Sequence, residues 1–161
     1  MCLLVMLPMG MASAKIQTLE SNIGTVQIDF PYTAEPGQGS GGNFLNLIKP
    51  GATKPIITIY ISEAALFKDF QDFAESSIGP GHLFEKMATD DGKHMLFNVY
   101  QDGTDKYGNP EYTYRGYIDY SKENGKYIIM HAPNEVRYDG DVIATYTKDQ
   151  FAAVCRSFTV K

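Results

Sequence analysis

Tryptophan is absent from the 161 residues, cysteine occurs twice and histidine three times. His82, His94 and His131 fall in none of the His-x-His, His-Glu-x-x-His or Cys/His spacings that hold zinc, so the sequence predicts no metal site and no cofactor. Basic residues are also scarce, 14 Lys+Arg against 19 Asp+Glu, for a net charge of −5. A nucleic-acid binder needs a basic face to displace phosphate counterions, and this balance argues against one. No apolar run reaches the roughly 20 residues that a membrane-spanning helix requires, so no integral membrane segment is expected in the mature form. What is present is ordinary for a globular chain. With 43% hydrophobic and 20% charged residues, a wholly disordered chain is excluded. The length suits one domain with a core that needs no metal or disulfide staples.

Residues 1–14, MCLLVMLPMGMASA, carry no charge. The apolar stretch is about the length of a signal-peptide core, and Ala12-Ser13-Ala14 is the small-x-small pattern that signal peptidase cuts after. The segment reads as a signal peptide or its remnant, with Lys15 as the mature N-terminus and 15–161 as a single domain. No Lys or Arg precedes the apolar run, which departs from the usual pattern. Export to the periplasm or outside the cell is the expectation. Cleavage removes Cys2 and leaves Cys155 alone, so no internal disulfide is expected and burial of that thiol is.

Residues 24–30, GTVQIDF, alternate as a half-buried strand and stop at Pro31. TAEPGQGSGG (33–42) reads as a flexible loop, followed by strands at 43–49 and 55–62. Ser62 is placed as the N-cap of a first helix carrying Leu66, Phe70 and Phe73 inward and ending at Gly79-Pro80-Gly81. Strands follow at about 82–88, 93–101, 112–120 and 126–132, with a polar hairpin loop at 102–111. Asn124-Gly125 is placed as a two-residue turn, which sets His131 opposite Ile118. Asp139-Gly140 reads as another turn, before a strand at 142–146. Thr147-Lys148-Asp149-Gln150 is a capping box, opening a terminal helix with Phe151, Val154, Cys155 and Phe158 on its inner face.

Strand runs joined by hairpin turns, with two helices, predict an α+β fold: an antiparallel β-sheet with helices packed on its faces. The element order, the opening GTVQIDFP and the closing FAAVCRSFTV with Arg156-Ser157-Phe158 resemble the PsbP-like superfamily. That resemblance implies an α/β/α sandwich and a non-catalytic accessory role, and it carries no set of active residues.

The chemistry-bearing motifs fail in register. GQGSGG (37–42) lacks the Gly-Lys-Ser/Thr and the following helix of a P-loop. DGTDKYGNPE (102–111) puts Thr104, Lys106 and Tyr107 where a calcium loop needs acidic or amide groups and Gly. No G-x-S-x-G elbow occurs, and the pairs Asp90/Asp91 and Asp139/Asp141 lie at expected turns. Tyrosine is the positive signal, since nine of the eleven fall between Tyr100 and Tyr146. Its apolar ring and polar tip suit surfaces that are wet at one time and buried at another. On strand 112–120, Arg115, Tyr117 and Asp119 share a face, and with Tyr107 in the hairpin loop they form the expected binding residues. No catalytic residues are predicted. The leading expectation is an exported accessory or binding protein, monomer or homodimer, with a protein or small-molecule partner. The alternative is a small periplasmic hydrolase or ligand-processing enzyme with its site under the 33–42 loop.

Overall fold

Alternation of apolar and polar residues builds strands along most of the chain, and antiparallel pairing assembles them. The computed structural model describes residues 15–161, so the processing segment lies outside the described residues. In chain order the elements are β1 (Lys15–Ser21), β2 (Gly24–Phe30), β3 (Glu35–Pro36), β4 (Phe44–Ile48), β5 (Pro55–Glu63), α1 (Phe70–Ile78), β6 (Glu85–Ala88), β7 (His94–Thr104), β8 (Pro110–Tyr120), α2 (Ser121–Asn124), β9 (Lys126–Pro133), β10 (Glu135–Tyr138), β11 (Asp141–Thr145), α3 (Lys148–Arg156) and β12 (Thr159–Val160). A seven-stranded sheet has the order β3-β4-β5-β9-β8-β7-β6, a three-stranded sheet the order β1-β2-β12, and β10 and β11 form a hairpin of their own. All strand pairs are antiparallel.

The expected α+β sandwich, with helices packed over the sheet faces, does not form; the fold is mostly antiparallel β. Magnitudes explain why. Seven strands spaced about 4.8 Å apart make a sheet about 29 Å wide, whereas the two longer helices have nine residues each and reach only about 14 Å. The apolar residues on both sides of 55–62 had suggested helical cover. On one side, much of that cover comes instead from the second sheet. Val26, Ile28 and Phe30 of β2 join Ile57, Ile59 and Ile61 of β5, Ile118 of β8, and Phe151, Val154 and Cys155 of α3 in one core. On the other side α1 sets Phe70, Phe73 and Ala74 against Leu96, Tyr117, Tyr127 and Ile129.

Local chemistry accounts for the helix ends. Thr147 and Gln150 make the reciprocal capping box that opens α3. Ser62 does not start a helix, because β5 runs on through Glu63. The cap of α1 is Asp69, whose Oδ1 accepts the Asp72 backbone N–H at 2.9 Å. Leu66, expected in the helix core, is largely exposed.

Candidate functional site

Parity along the ladder decides which side chains meet. Successive residues of a strand point to opposite faces, so register fixes a row across the sheet. The pairs Asn46↔Thr58, Thr58↔His131, His131↔Arg115 and Arg115↔Asn98 place five polar residues in one row, across β4, β5, β9, β8 and β7. The next row, Phe44–Tyr60–Ile129–Tyr117–Leu96, is apolar, and α1 covers its Tyr117 and Leu96 end. The polar row therefore lies beside the C-terminal end of α1.

Within the row, the Thr58 hydroxyl donates to Asn46 Oδ1 at 3.0 Å. Asn98 donates through Nδ2 to the Leu83 carbonyl at 2.7 Å, while its buried Oδ1 has no partner. The Arg115 Nη1–H donates to the Ser77 carbonyl at 3.1 Å, supplying a cation to the last turn of a helix that carries no basic residue there. The guanidinium also sits 5.5 Å from the Tyr100 ring centroid. Burial holds the His131 imidazole below its ordinary pKa, and the Arg115 charge adds to this; Asp102 opposes it weakly. Near neutral pH, His131 is uncharged.

This shift has a measurable consequence. The unfolded chain protonates His131 near its ordinary pKa of about 6.5, while the folded chain resists protonation. Below that pH the unfolded state binds more protons, so the contribution of His131 to stability is present above about pH 6.5 and lost as pH falls through the folded pKa. Urea unfolding of wild type and His131→Asn across pH 5–8 should show a slope in the wild type that the variant lacks. Parallel slopes would mean the imidazole is solvated.

The four residues expected to bind are not brought together. Arg115 stands in the polar row, between His131 and Asn98. Tyr117 is a correction: it is 0% exposed, enclosed by Phe73 and Phe84 with ring centroids at 6.1 and 5.5 Å. Its hydroxyl lies 2.6 Å from Ser77 Oγ, and burial raises its pKa. The Ser77 hydroxyl donates its one proton to the Ala74 carbonyl, so Tyr117 is the donor in that pair. Asp119 is used locally, its Oδ1 accepting Ser121 N–H and Oγ–H at 2.9 and 2.6 Å as α2 begins. Tyr107 stands at the β7–β8 hairpin tip, 78% exposed.

That hairpin is longer and stiffer than the loop expected at 102–111. β7 continues to Thr104 and β8 starts at Pro110. Asp105 Oδ1 organises the tip by accepting the Tyr107 and Asn109 backbone N–H groups, both at 2.8 Å. Tyr107, Asp102, Glu111, Thr113, Glu135 and Arg137 help to line an open cleft of about 1040 Å³. Two of its charged groups are engaged in place: Asp102 accepts a hydrogen bond from the Thr113 hydroxyl, and Arg137 pairs with Glu135 at 2.5 Å. The 33–42 segment lines neither this cleft nor a smaller one at Leu83 and Val99. It is stapled to β4 instead, Ser40 Oγ accepting Asn46 N–H at 3.0 Å and Gly37 N–H donating to the Asn46 carbonyl at 2.7 Å.

Sequence reasoning missed His131, Asn98, Thr58 and Asn46. His131 was set opposite Ile118, but it pairs with Arg115. The connection is not a two-residue turn. Residues 121–125 form a short helical turn closed by Gly125 in the left-handed region (φ 73°). Five connecting residues instead of two shift the register by an odd number, which moves His131 to the other face.

No family model and no curated protein matches this chain. Among the described residues no three His, Cys, Asp or Glu side chains converge to hold a metal ion, and no helix is long and apolar enough to cross a membrane. The Cys155 thiol is fully buried, and burial pushes its pKa up, away from the nucleophilic thiolate.

Proposed function

We infer that the chain is an exported, non-catalytic binding module whose recognition surface is the half of the sheet beyond α1, with the cleft beside it. One observation carries this reading: the row Asn46–Thr58–His131–Arg115–Asn98 is polar across five strands, directly beside the apolar row Phe44–Tyr60–Ile129–Tyr117–Leu96 on the same face. A partly buried row of donors and acceptors is costly to keep unless those groups find partners. Nucleophilic catalysis would need a hydroxyl or thiol hydrogen-bonded to the base. Among the described residues no such group bonds to His131.

The test combines Arg115→Ala with Thr58→Ala. Each change removes about one exposed or half-exposed hydrogen bond, on the order of 1 kcal/mol, so the pair should lower the melting temperature by about 4–8 °C. Retention of components of an exported-protein and metabolite fraction on the immobilised variant should weaken at least tenfold, about 1.4 kcal/mol. Undiminished retention would place recognition elsewhere.

A further inference from the structure

The chain has three arginines. Arg137 pairs with Glu135 and Arg156 with Asp90, at 2.5 and 3.3 Å. Arg115 has no carboxylate partner among the described residues, and one of its five N–H donors is occupied, by the Ser77 carbonyl. Its neighbours across the ladder are neutral: Asn98 on one side, His131 on the other, then Thr58 and Asn46. The site thus offers one positive charge and a line of neutral hydrogen-bonding groups. This matches one carboxylate on a body rich in hydroxyls better than it matches a polyphosphate, whose extra charge an acidic protein would repel.

An aromatic pair completes the surface. Phe44 and Tyr60 pack with ring centroids 4.8 Å apart and planes tilted by 45°, one row from Asn46 and Thr58. Phe44 is 48% exposed although it is a large apolar side chain. The negative face of an aromatic ring attracts the slightly positive C–H groups on the apolar face of a sugar. From Asn46 to Arg115 the row crosses three strand spacings, about 14 Å, longer than one sugar ring.

We propose that this face binds an acidic oligosaccharide, with a uronate carboxylate on Arg115, sugar hydroxyls on His131, Thr58 and Asn46, and a ring face on Phe44 and Tyr60. The proposal rests on the binding-module reading and names its ligand. The experiment titrates isotope-labelled protein with three probes: a short gluco-oligosaccharide bearing one glucuronate, its neutral counterpart of equal length, and acetate. The acidic oligosaccharide should shift resonances of Thr58, Tyr60, His131 and Arg115. The neutral one should bind at least tenfold more weakly, and acetate should shift Arg115 alone. Arg115→Gln should reduce acidic binding to the neutral level, while Phe44→Ala should weaken both sugars alike.

Equal binding of acidic and neutral sugars, or indifference to Arg115→Gln, would overturn the proposal. So would acetate matching the acidic sugar, which would leave an adventitious ion only. Silence from all three probes would overturn the sugar assignment, while the retention experiment above, which uses none of them, would separately decide whether this face binds anything.

Discussion

Replacing Tyr117 with Ala should destabilise the protein by about 3–5 kcal/mol, the usual cost of truncating a large buried aromatic side chain. The ring is sealed under α1, so truncation removes its contacts with both Phe73 and Phe84 and the hydrogen bond its hydroxyl makes to Ser77. Set against a total stability of about 5–15 kcal/mol for a domain, this loss would leave a substantial unfolded fraction under mild denaturant. Tyr117→Phe keeps the ring and gives up one hydrogen bond, so it should cost only about 1 kcal/mol. Urea unfolding followed by circular dichroism separates the two. A Tyr117→Ala variant as stable as wild type would mean that α1 does not cover this end of the sheet.

The second large effect is expected at Gly116, on the opposite face of the same strand. Its backbone is ordinary, so conformational freedom is not the reason for glycine. A Cβ built there would lie 2.5 Å from Cys155 Sγ and 2.8 Å from Cys155 Cβ. The missing side chain is what lets α3 sit directly on β8. Gly116→Ala should therefore cost about 3 kcal/mol through overpacking, lowering the melting temperature by roughly 6–12 °C in a chain of this size. Cys155→Ala alone should cost about 1 kcal/mol, from a small cavity. In combination the two should cost less than their sum by at least about 0.5 kcal/mol, because deleting Sγ relieves part of the clash. Strict additivity would contradict the close approach.

Much of the local structure was legible because its signals are local. The capping box at Thr147, the inner face of Phe151, Val154, Cys155 and Phe158, and the alternation of 24–30 each depend on neighbours within a few residues. Asp139-Gly140 forms the tight turn expected of it, with both φ values positive. β1 went unseen because its inward positions are Gln17 and Leu19, too weak an apolar signal for a strand. The layer order was misread because an apolar pattern on both sides of β5 says that both are covered, not by what. A second sheet and a helix leave the same pattern.

The site was less legible than the fold. Arg115 could be placed by parity within β8 alone. The rest of the row depends on register between strands distant in sequence, with Asn46 and Thr58 lying 85 and 73 residues before His131. A single loop length, at residues 121–125, decides the face on which His131 lies. Tyr117 shows the limit of the reverse inference: alternation put it correctly on the face of Arg115, but could not show that α1 closes over one end of that face and leaves the other.

The central claim is that this sheet face has a closed, structural end and an open, recognising end. Hydroxyl-radical footprinting read by peptide mass spectrometry tests it most directly, on protein free and protein carrying its retained ligand. The account predicts strong oxidation of Phe44, Tyr60 and Tyr100 in the free protein and protection of all three in the complex, while Tyr117 and Phe73 stay unreactive throughout. Protection confined to other surfaces, or ready oxidation of Tyr117 in the free protein, would contradict it.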